Sequence, residues 1–300
     1  MKQTATSLTQ ASDKPTNFAR RLIEMKTKNE TNESACSAFV VNHAIARRGQ
    51  RRARTRAQIH TQAGSESYGS ATDGTPLTWD VKMPPGKTKV PWILSISSGH
   101  WVDENGVPPN AVQKILNAGW ASVHVFHRLA PPNTCVGQVG DGRYPEQTDD
   151  VTMAVEAARK DPRCDSRIAA IGGSGGANLT LVLQAKGKVV CAVGFSPATD
   201  LQALVAGGGQ PAQKALNYAT NNQARINASP VTYLQRGVSV PGMSVFFTTD
   251  QMPDTQRTIW NTKTAAIGLQ NRAILLPGAG HSWAAEPLVD WIGFIRAHVP

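Results

Sequence analysis

A short glycine-rich stretch, Gly172-Gly173-Ser174-Gly175-Gly176, lies between an apolar run and an apolar helical pattern. It fits the motif Gly-x-Ser-x-Gly, in which a serine lies on a sharp turn from a strand into a helix. Cβ atoms on both sides of the serine would clash in so tight a turn, and glycine avoids that clash. The helix N-terminus also favours negative charge developing beside the hydroxyl. The motif therefore predicts Ser174 as a nucleophile; the alternative is a glycine-rich turn that merely contains a serine.

Strand-like and helix-like patterns alternate along residues 66–300. The predicted strands cover 76–83, 92–96, 122–126, 168–171, 189–193, 244–248 and 273–276. The predicted helices cover 110–118, 148–159, 256–267 and 285–298, in addition to the helix that follows Ser174. Such alternation is typical of a mostly parallel central sheet with helices on both faces, so the sequence predicts an α/β fold.

Two segments differ in composition from this pattern. Residues 197–240 are irregular and rich in Gly, Asn, Gln and Ala, which predicts a small cap or lid over a pocket. Residues 1–65 carry 12 of the 31 Lys and Arg residues but only 4 of the 21 Asp and Glu residues. We therefore expect this segment to be a basic, disordered N-terminal arm that precedes a catalytic domain at residues 66–300.

The densest positive charge of the arm is the basic run at residues 47–56. We favour a solvated arm over contact with nucleic acid, contact with a membrane surface or a targeting signal. No apolar run approaches the 18 residues that a transmembrane helix requires, and no convincing signal peptide is present. The compartment and the oligomeric state stay open, with the cytoplasm favoured.

The sequence predicts no metal ion and no organic cofactor. The four cysteines, Cys36, Cys135, Cys164 and Cys191, show neither metal-ligand spacing nor a disulfide framework. Cys191 lies in an apolar strand pattern, which predicts a buried thiol, whereas pairing of Cys135 with Cys164 stays open. The chemistry is therefore expected to come from side chains alone.

A nucleophilic serine needs a general base and an acid that orients the base, and these follow it in the order Ser, Asp or Glu, His. Asp250 comes just after the predicted strand 244–248, and His281 lies in a glycine-rich loop after the strand 273–276. We predict that His281 takes the Ser174 proton and that Asp250 holds the imidazole. Asp254 is the alternative acid, but helix capping explains its position.

The transition state also needs N–H groups directed at the oxyanion. One is expected from Gly175, which directly follows the nucleophile, and others from the loop after the strand 92–96. Gly99 and His100 lie in that loop and are predicted to donate through their backbone amides.

Several further motifs are shared with a known family. Ser97-Ser98-Gly99-His100-Trp101 corresponds in position to its His-Gly-Gly-Gly-Trp oxyanion segment, and His127-Arg128-Leu129-Ala130-Pro131 is similar to its Tyr-Arg-Leu-Ala-Pro segment. Tyr144-Pro145 with Asp150 matches its Pro…Asp helix entry, and Asp250-Gln251-Met252-Pro253-Asp254 resembles its Asp-Pro-Leu-x-Asp segment. On these residues the chain resembles the α/β-hydrolase superfamily, specifically the esterase and lipase branch that includes acetyl-esterase-like and hormone-sensitive-lipase-like enzymes.

The resemblance covers residues 66–300 and implies an α/β-hydrolase fold with a small-molecule ester as substrate. It again selects Asp250 as the acid, and we expect Trp101 and Gly173 to line the substrate pocket. The chain departs from the family in the oxyanion segment, where Ser97 and Ser98 replace the histidine and the first glycine and His100 replaces the third glycine. If that position requires a positive φ, His100 carries a strain of about 1 kcal/mol or more.

Three functions are compatible with these features. The favoured one is a serine carboxylic-ester hydrolase that acts on short-chain, acetyl-type esters through an acyl-enzyme. The second keeps the triad but cleaves amides, as in a serine peptidase or a formamidase, because Gly99-His100-Trp101 resembles the Gly-Tyr-Trp of kynurenine-formamidase-like hydrolases. The third is a non-catalytic binding protein on a hydrolase scaffold, and the intact order of the triad argues against it.

Overall fold

The computed structural model of the protein describes residues 65–131 and 142–299. The predicted N-terminal arm precedes these residues, so its basic run at 47–56, with the alternatives of nucleic-acid or membrane contact, lies outside the described part. Cys36 and Cys135 lie outside it as well, whereas Cys164 and Cys191 are free, buried thiols.

A single sheet of eight strands organises the described residues. The strands are β1 (Glu66–Ser70), β2 (Pro76–Lys82), β3 (Val90–Ser98), β4 (Ala121–Val125), β5 (Cys164–Ser174), β6 (Ala192–Phe195), β7 (Gly242–Thr249) and β8 (Asn271–Ala279). Their order across the sheet is β1-β2-β4-β3-β5-β6-β7-β8. The pairs β1–β2 and β2–β4 are antiparallel, and every pair from β4 to β8 is parallel. The prediction of a mostly parallel sheet is therefore confirmed.

Both faces of the sheet are covered because the central strands are apolar on both sides. Along β3, Trp92, Leu94 and Ile96 belong to one hydrophobic cluster, whereas Ile93 belongs to the other, as the alternation of side chains in a strand requires. All four of these side chains are fully buried. Two separate cores thus hold the sheet between helical layers.

The helices connect the strands and supply the other half of each core. They are α1 (Pro109–Asn117), α2 (Glu146–Lys160), α3 (Gly175–Ala185), α4 (Leu201–Gly207), α5 (Gly209–Tyr218), α6 (Asn222–Ala228), α7 (Asp254–Ala266) and α8 (Trp291–His298). The first cluster includes Val151 and Val155 of α2, and the second includes Ile115 of α1 and Ile295 of α8. Among the described residues, no helix is both long enough and apolar enough to cross a bilayer.

The prediction that residues 197–240 are irregular is wrong. The segment contains α4, α5, α6 and a 3-10 helix at Pro230–Tyr233. Two of these helices, α4 and α6, have only seven residues and so show no clear period in the sequence, and side-chain caps mark where they begin. The side chains of Asp200 and Asn221 accept hydrogen bonds from the amides of Ala203 and Ala224, at 3.0 and 2.8 Å, as N-caps do. Whether the segment acts as a lid stays a prediction.

Two other predicted elements differ from the structure. The predicted final helix at 285–298 is a 3-10 helix at Ser282–Leu288 followed by α8. Pro287 lies inside the 3-10 helix. Asp290 is the N-cap of α8, because its side chain accepts a hydrogen bond from the Gly293 amide at 2.7 Å. The strand predicted at 189–193 begins later, as β6, because the pairing with β5 begins at Ala192.

A buried ion pair connects the end of β4 to α2. The Asp150 carboxylate accepts from the backbone amide of Arg128 at 2.9 Å and from its Nε and Nη2 at 3.0 and 2.8 Å. Only 3% of the arginine side chain and 1% of the aspartate side chain are exposed. Removing one partner would leave an uncompensated charge in the core.

We predict that Asp150→Ala lowers the free energy of unfolding by about 3–5 kcal/mol, because the guanidinium of Arg128 loses its buried partner. The matched control is Asp254→Ala, whose pair with Arg257 has an aspartate side chain that is 62% exposed. That control should lose less than about 1 kcal/mol. Urea denaturation of both variants measures the difference, and equal losses would contradict the prediction.

Candidate active site

Four consecutive parallel strands, β5 to β8, end at one edge of the sheet, and a polar residue lies at or just after the end of each strand. Ser174 is the last residue of β5, Ser196 directly follows β6, and Asp250 directly follows β7. His281 comes two residues after the end of β8. Because carboxyl ends of parallel strands lie at the same edge, these residues converge, as is typical of sites in open α/β sheets.

The turn at Ser174 has the strained backbone that its motif predicts. Ser174 has φ +54° and ψ −118°, and its 7% exposure leaves only a small accessible surface. A Cβ atom on Gly172 would lie 2.6 Å from the carbonyl oxygen of Gly176 and 2.5 Å from the Thr180 hydroxyl. The chain therefore requires glycine at position 172, where β5 passes close to Gly176 and Thr180 of α3.

The structure brings together the three residues that the sequence proposes for the triad. His281 Nε2 lies 2.9 Å from Ser174 Oγ, and His281 Nδ1 lies 2.6 Å from Asp250 Oδ1. The Asp250 side chain is 1% exposed and that of His281 is 20% exposed. An Nδ1–H that donates to the carboxylate leaves Nε2 as the acceptor for the serine hydroxyl, which is the tautomer that a general base needs.

Asp254, the alternative acid, lies outside this chain of hydrogen bonds. Its carboxylate pairs with Arg257 Nε at 2.6 Å on the surface of α7. That hydrogen bond is the main reason why the pKa of Asp254 lies below its usual value. The geometry therefore selects Asp250 as the partner of His281.

The loop after β3 lies beside the nucleophile, because Ser98 pairs with Ser174 in the register of β3 and β5. Gly175 is the first residue of α3, so its amide has no acceptor within the helix. The His100 amide makes no hydrogen bond to the part of the chain that the structure describes. These two predicted donors are therefore available to an oxyanion.

The prediction for Gly99 is not supported. Its amide donates to the carbonyl oxygen of Asp103 at 2.7 Å, within a short bridge that closes the loop on itself. This bond uses the only N–H of the residue. The loop therefore offers the next amide along the chain, that of His100.

His100 has the conformation that its unusual position in the motif requires. Its φ is +54° and that of Trp101 is +63°, so two successive non-glycine residues are left-handed. Burial lowers the pKa of His100 and the positive charge of Lys214 lowers it further, whereas a hydrogen bond with Gln251 raises it. Its Nε2 atom is buried without a hydrogen-bond partner among the described residues.

Trp101 and Gly173 do not line an open pocket. Trp101 is 2% exposed, its ring stacks on Tyr218 with centroids 5.0 Å apart, and its Nε1 donates to Asn178 at 3.3 Å. The space above Gly173 is filled, because a Cβ there would overlap Ser282 Oγ and lie 3.0 Å from Trp283 Nε1. Trp101 packs into the first hydrophobic cluster, and the side chains of Ser282 and Trp283 cover Gly173.

Two buried polar residues that the sequence did not single out connect the loops around the site. Ser196 contacts Asp250 and the residue after His281. Asn178 of α3 accepts from Trp101 Nε1 and donates to the carbonyl oxygens of Ala198 and Ala228, at 2.8 and 3.1 Å. One feature of the sequence could have indicated Ser196. It directly follows the apolar residues of β6, as Asp250 directly follows β7, and residues at such strand ends meet at one edge of a parallel sheet.

Two surface clefts are lined by residues outside the triad. One of about 280 Å³ lies between α1 and α8 and is lined by Lys114 and Arg296, and one of about 240 Å³ is lined by Arg236 and Leu269. Within residues 65–131 and 142–299, no three His, Cys, Asp or Glu side chains are grouped so that they could hold a metal ion. Neither cleft contains residues of the hydrogen-bonded chain.

The described architecture is similar to that of solved esterases. The acetyl ester-xyloside bifunctional hydrolase from Caldicellulosiruptor lactoaceticus matches with a TM-score of 0.61 at 12% identity, covering 79% of this chain and 94% of that one. Carboxyl esterase 2 from Tuber melanosporum matches with 0.60 at 18% identity, covering 82% and 90%. A thermostable esterase from Pseudomonas putida matches with 0.58 at 20% identity, covering 81% and 86%.

At these identities the similarity establishes the fold, and the expected α/β-hydrolase fold is confirmed. No protein-family model matches the sequence, and no curated protein sequence matches it. The chemistry of this chain must therefore be argued from its own residues.

We predict that Gly172→Ala lowers the free energy of unfolding by about 1–3 kcal/mol, because the added methyl group would overlap backbone atoms of Gly176. Gly207→Ala is the matched control, since a Cβ there meets nothing within 4 Å. It should change stability by less than about 0.5 kcal/mol. Urea denaturation compares the two, and a Gly172→Ala protein as stable as the wild type would refute the close approach.

Proposed function

We propose that this protein is a serine carboxylic-ester hydrolase that acts on small esters through an acyl-enzyme. The observation that carries the proposal is the continuous chain of hydrogen bonds from Ser174 through His281 to Asp250, with distances of 2.9 and 2.6 Å. The acid is buried, the base is partly exposed, and the nucleophile lies on a strained turn. The similarity to esterases in fold supports the same conclusion.

In the proposed reaction, Ser174 Oγ attacks the ester carbonyl carbon while His281 Nε2 takes the hydroxyl proton. The tetrahedral intermediate collapses when the bond to the alcohol oxygen breaks, and His281 returns the proton to that leaving group. Water then attacks the acyl-enzyme with His281 again as the base, which releases the acid and restores the serine. Asp250 stabilises the imidazolium during both steps.

The oxyanion of each intermediate would be stabilised by backbone amides. The amides of Gly175 and His100, which have no hydrogen-bond acceptor among the described residues, are the donors that support this role. The N-terminal end of α3 adds the favourable end of its dipole. The substrate's carbonyl oxygen would accept from both amides in place of water.

A small acyl group is the substrate feature that the site supports. Ser174 is only 7% exposed, and the side chains of Ser282 and Trp283 fill the space over the neighbouring Gly173. The ring of Trp283 also packs against Phe195, with centroids 5.4 Å apart. These contacts support an acetyl-type ester as the preferred substrate, in line with the acetyl ester named for the similar enzyme from Caldicellulosiruptor lactoaceticus.

We predict that the protein hydrolyses p-nitrophenyl acetate and that kcat/KM falls as the acyl chain lengthens from acetate to butyrate and octanoate, because longer chains must displace packed side chains. Ser174→Ala should reduce the rate by a factor of about 10³ or more, since the acyl-enzyme cannot form. Release of p-nitrophenolate measures both.

The same series decides between the proposed function and its alternatives. Ser174-dependent turnover of p-nitroanilides that exceeds turnover of the matched esters would favour an amidase. Absence of Ser174-dependent turnover on both classes would refute the hydrolase and favour a binding protein.

We further predict that Asp250→Asn lowers kcat by about 10⁴, because an amide at this position selects the wrong tautomer of His281. Asp254→Asn should leave kcat within about twofold, because its carboxylate touches Arg257 on the surface and not the imidazole. Steady-state kinetics on p-nitrophenyl acetate compare the two variants. A larger loss in Asp254→Asn than in Asp250→Asn would reverse the assignment of the acid.

A further inference from the structure

Ser196 is a fully buried polar residue that the proposed mechanism does not use. It follows β6 directly, has 0% exposure and adopts φ +50°. Its amide donates to the carbonyl oxygen of Val245 in β7 at 2.7 Å, so its backbone is fixed against the neighbouring strand. It also precedes Pro197, a position where the backbone normally is extended. Strained backbone positions cluster at functional sites, so the strain and burial of Ser196 indicate a function in the site at this edge of the sheet.

The Ser196 hydroxyl bridges the two loops that carry the acid and the base. It donates to Asp250 Oδ2 at 2.6 Å and accepts from the backbone amide of Ser282 at 2.9 Å. Since a hydroxyl has one proton, donation to the carboxylate leaves its lone pairs for the amide. Both bonds can therefore exist together with Asp250 ionised.

The carboxylate of Asp250 is oriented through three groups. Oδ1 accepts from His281 Nδ1 at 2.6 Å and from the amide of Met252 at 2.9 Å. The other oxygen, Oδ2, accepts from the Ser196 hydroxyl. Without this hydroxyl the carboxylate keeps its contact with the base but loses the bond that fixes its rotation.

The second bond acts on the base itself. Ser282 directly follows His281 and has φ +54°, so the chain turns sharply after the imidazole. The Ser282 side chain also fills the space over Gly173, the residue before the nucleophile. Holding the Ser282 amide therefore holds His281 at the correct distance from Ser174.

We propose that Ser196 is a positioning residue that fixes Asp250 and His281 relative to each other, as a fourth member of the hydrogen-bonded chain. The inference rests on the proposed hydrolase function. Ser196 touches no reacting atom in it, and its effect passes through the carboxylate and the amide that it bridges. Loss of the hydroxyl should therefore lower the rate of chemistry and leave substrate binding nearly unchanged.

The experiment compares Ser196→Ala and Ser196→Gly with the wild type on p-nitrophenyl acetate. Both variants remove the hydroxyl, but glycine also relieves the positive φ. We expect kcat to fall by about 10- to 100-fold in both, because small misplacements of reacting groups cost this much, with KM within about twofold. Ser244→Ala, which removes a buried hydroxyl of β7 with no contact to Asp250 or His281, is the matched control and should keep wild-type kcat.

A spectroscopic signature and a double variant separate positioning from general packing. The ¹H resonance of His281 Nδ1, followed in ¹⁵N-histidine-labelled protein, should move in Ser196→Ala and Ser196→Gly and stay in place in Ser244→Ala. In the Asp250→Asn background, adding Ser196→Ala should lower kcat by a smaller factor than it does in the wild type, because the part of the effect that passes through the carboxylate is already lost.

Wild-type kcat in Ser196→Gly, with loss confined to Ser196→Ala, would overturn the inference and assign Ser196 a backbone role only. Additive losses in the double variant, or an unmoved resonance, would overturn it as well. In each of these cases the Ser174-dependent turnover of the wild type persists, so the proposed function stands. If the wild type shows no such turnover, the proposed function itself fails, and this inference fails with it.

Discussion

The strained turn at Ser174 is the constraint on which the surrounding structure depends. A non-glycine residue at φ +54° costs about 1–3 kcal/mol, so the turn persists only because its flanks are held firmly. Every residue of α3 is buried, as are the last seven residues of β5. Each buried leucine of α3 contributes about 1.5–3 kcal/mol of hydrophobic stabilisation, so Leu179, Leu181 and Leu183 together exceed the strain. The scaffold therefore presents the serine in a conformation that an isolated turn would not keep.

The groups around this turn come from loops that are distant in sequence, and buried polar bridges hold those loops together. Asn178 connects the loop after β3 to the segment after β6, and Ser196 connects the loops after β7 and β8. Each bridge satisfies backbone or carboxylate groups that would otherwise be buried without partners. The bonds of Ser196 that avoid this penalty also reach Asp250 and the residue that follows His281. Stability and the geometry of the site thus rest on shared contacts.

Features that depend on residues close together in the sequence were predicted well, and features that depend on individual backbone contacts were not. The fold class followed from alternating apolar runs, and α2 was recognised because Val151, Ala154, Val155 and Ala158 repeat at helical spacing and are all buried. The sequence did not predict the helices of residues 197–240; two of them, α4 and α6, are only seven residues long and begin at single side-chain caps. Gly99 was predicted as an oxyanion donor from its place in a motif, yet its amide bonds to Asp103 within the loop. Local patterns identify elements well, but they do not show which backbone groups are already in use.

The sequence by itself determined the alternation of strands and helices and the serine on its glycine-flanked turn, and it predicted Asp250 and His281 after two later strands. These features depend on residues that are close neighbours in the chain, where spacing and residue type decide the outcome. Only the tertiary structure decided that the Gly99 amide bonds to Asp103, that Trp101 packs into the core, and that Ser196 bonds to Asp250. The first depends on how one loop closes on itself, and the other two depend on where separate loops meet at the edge of the sheet, which is set by the packing of the whole domain.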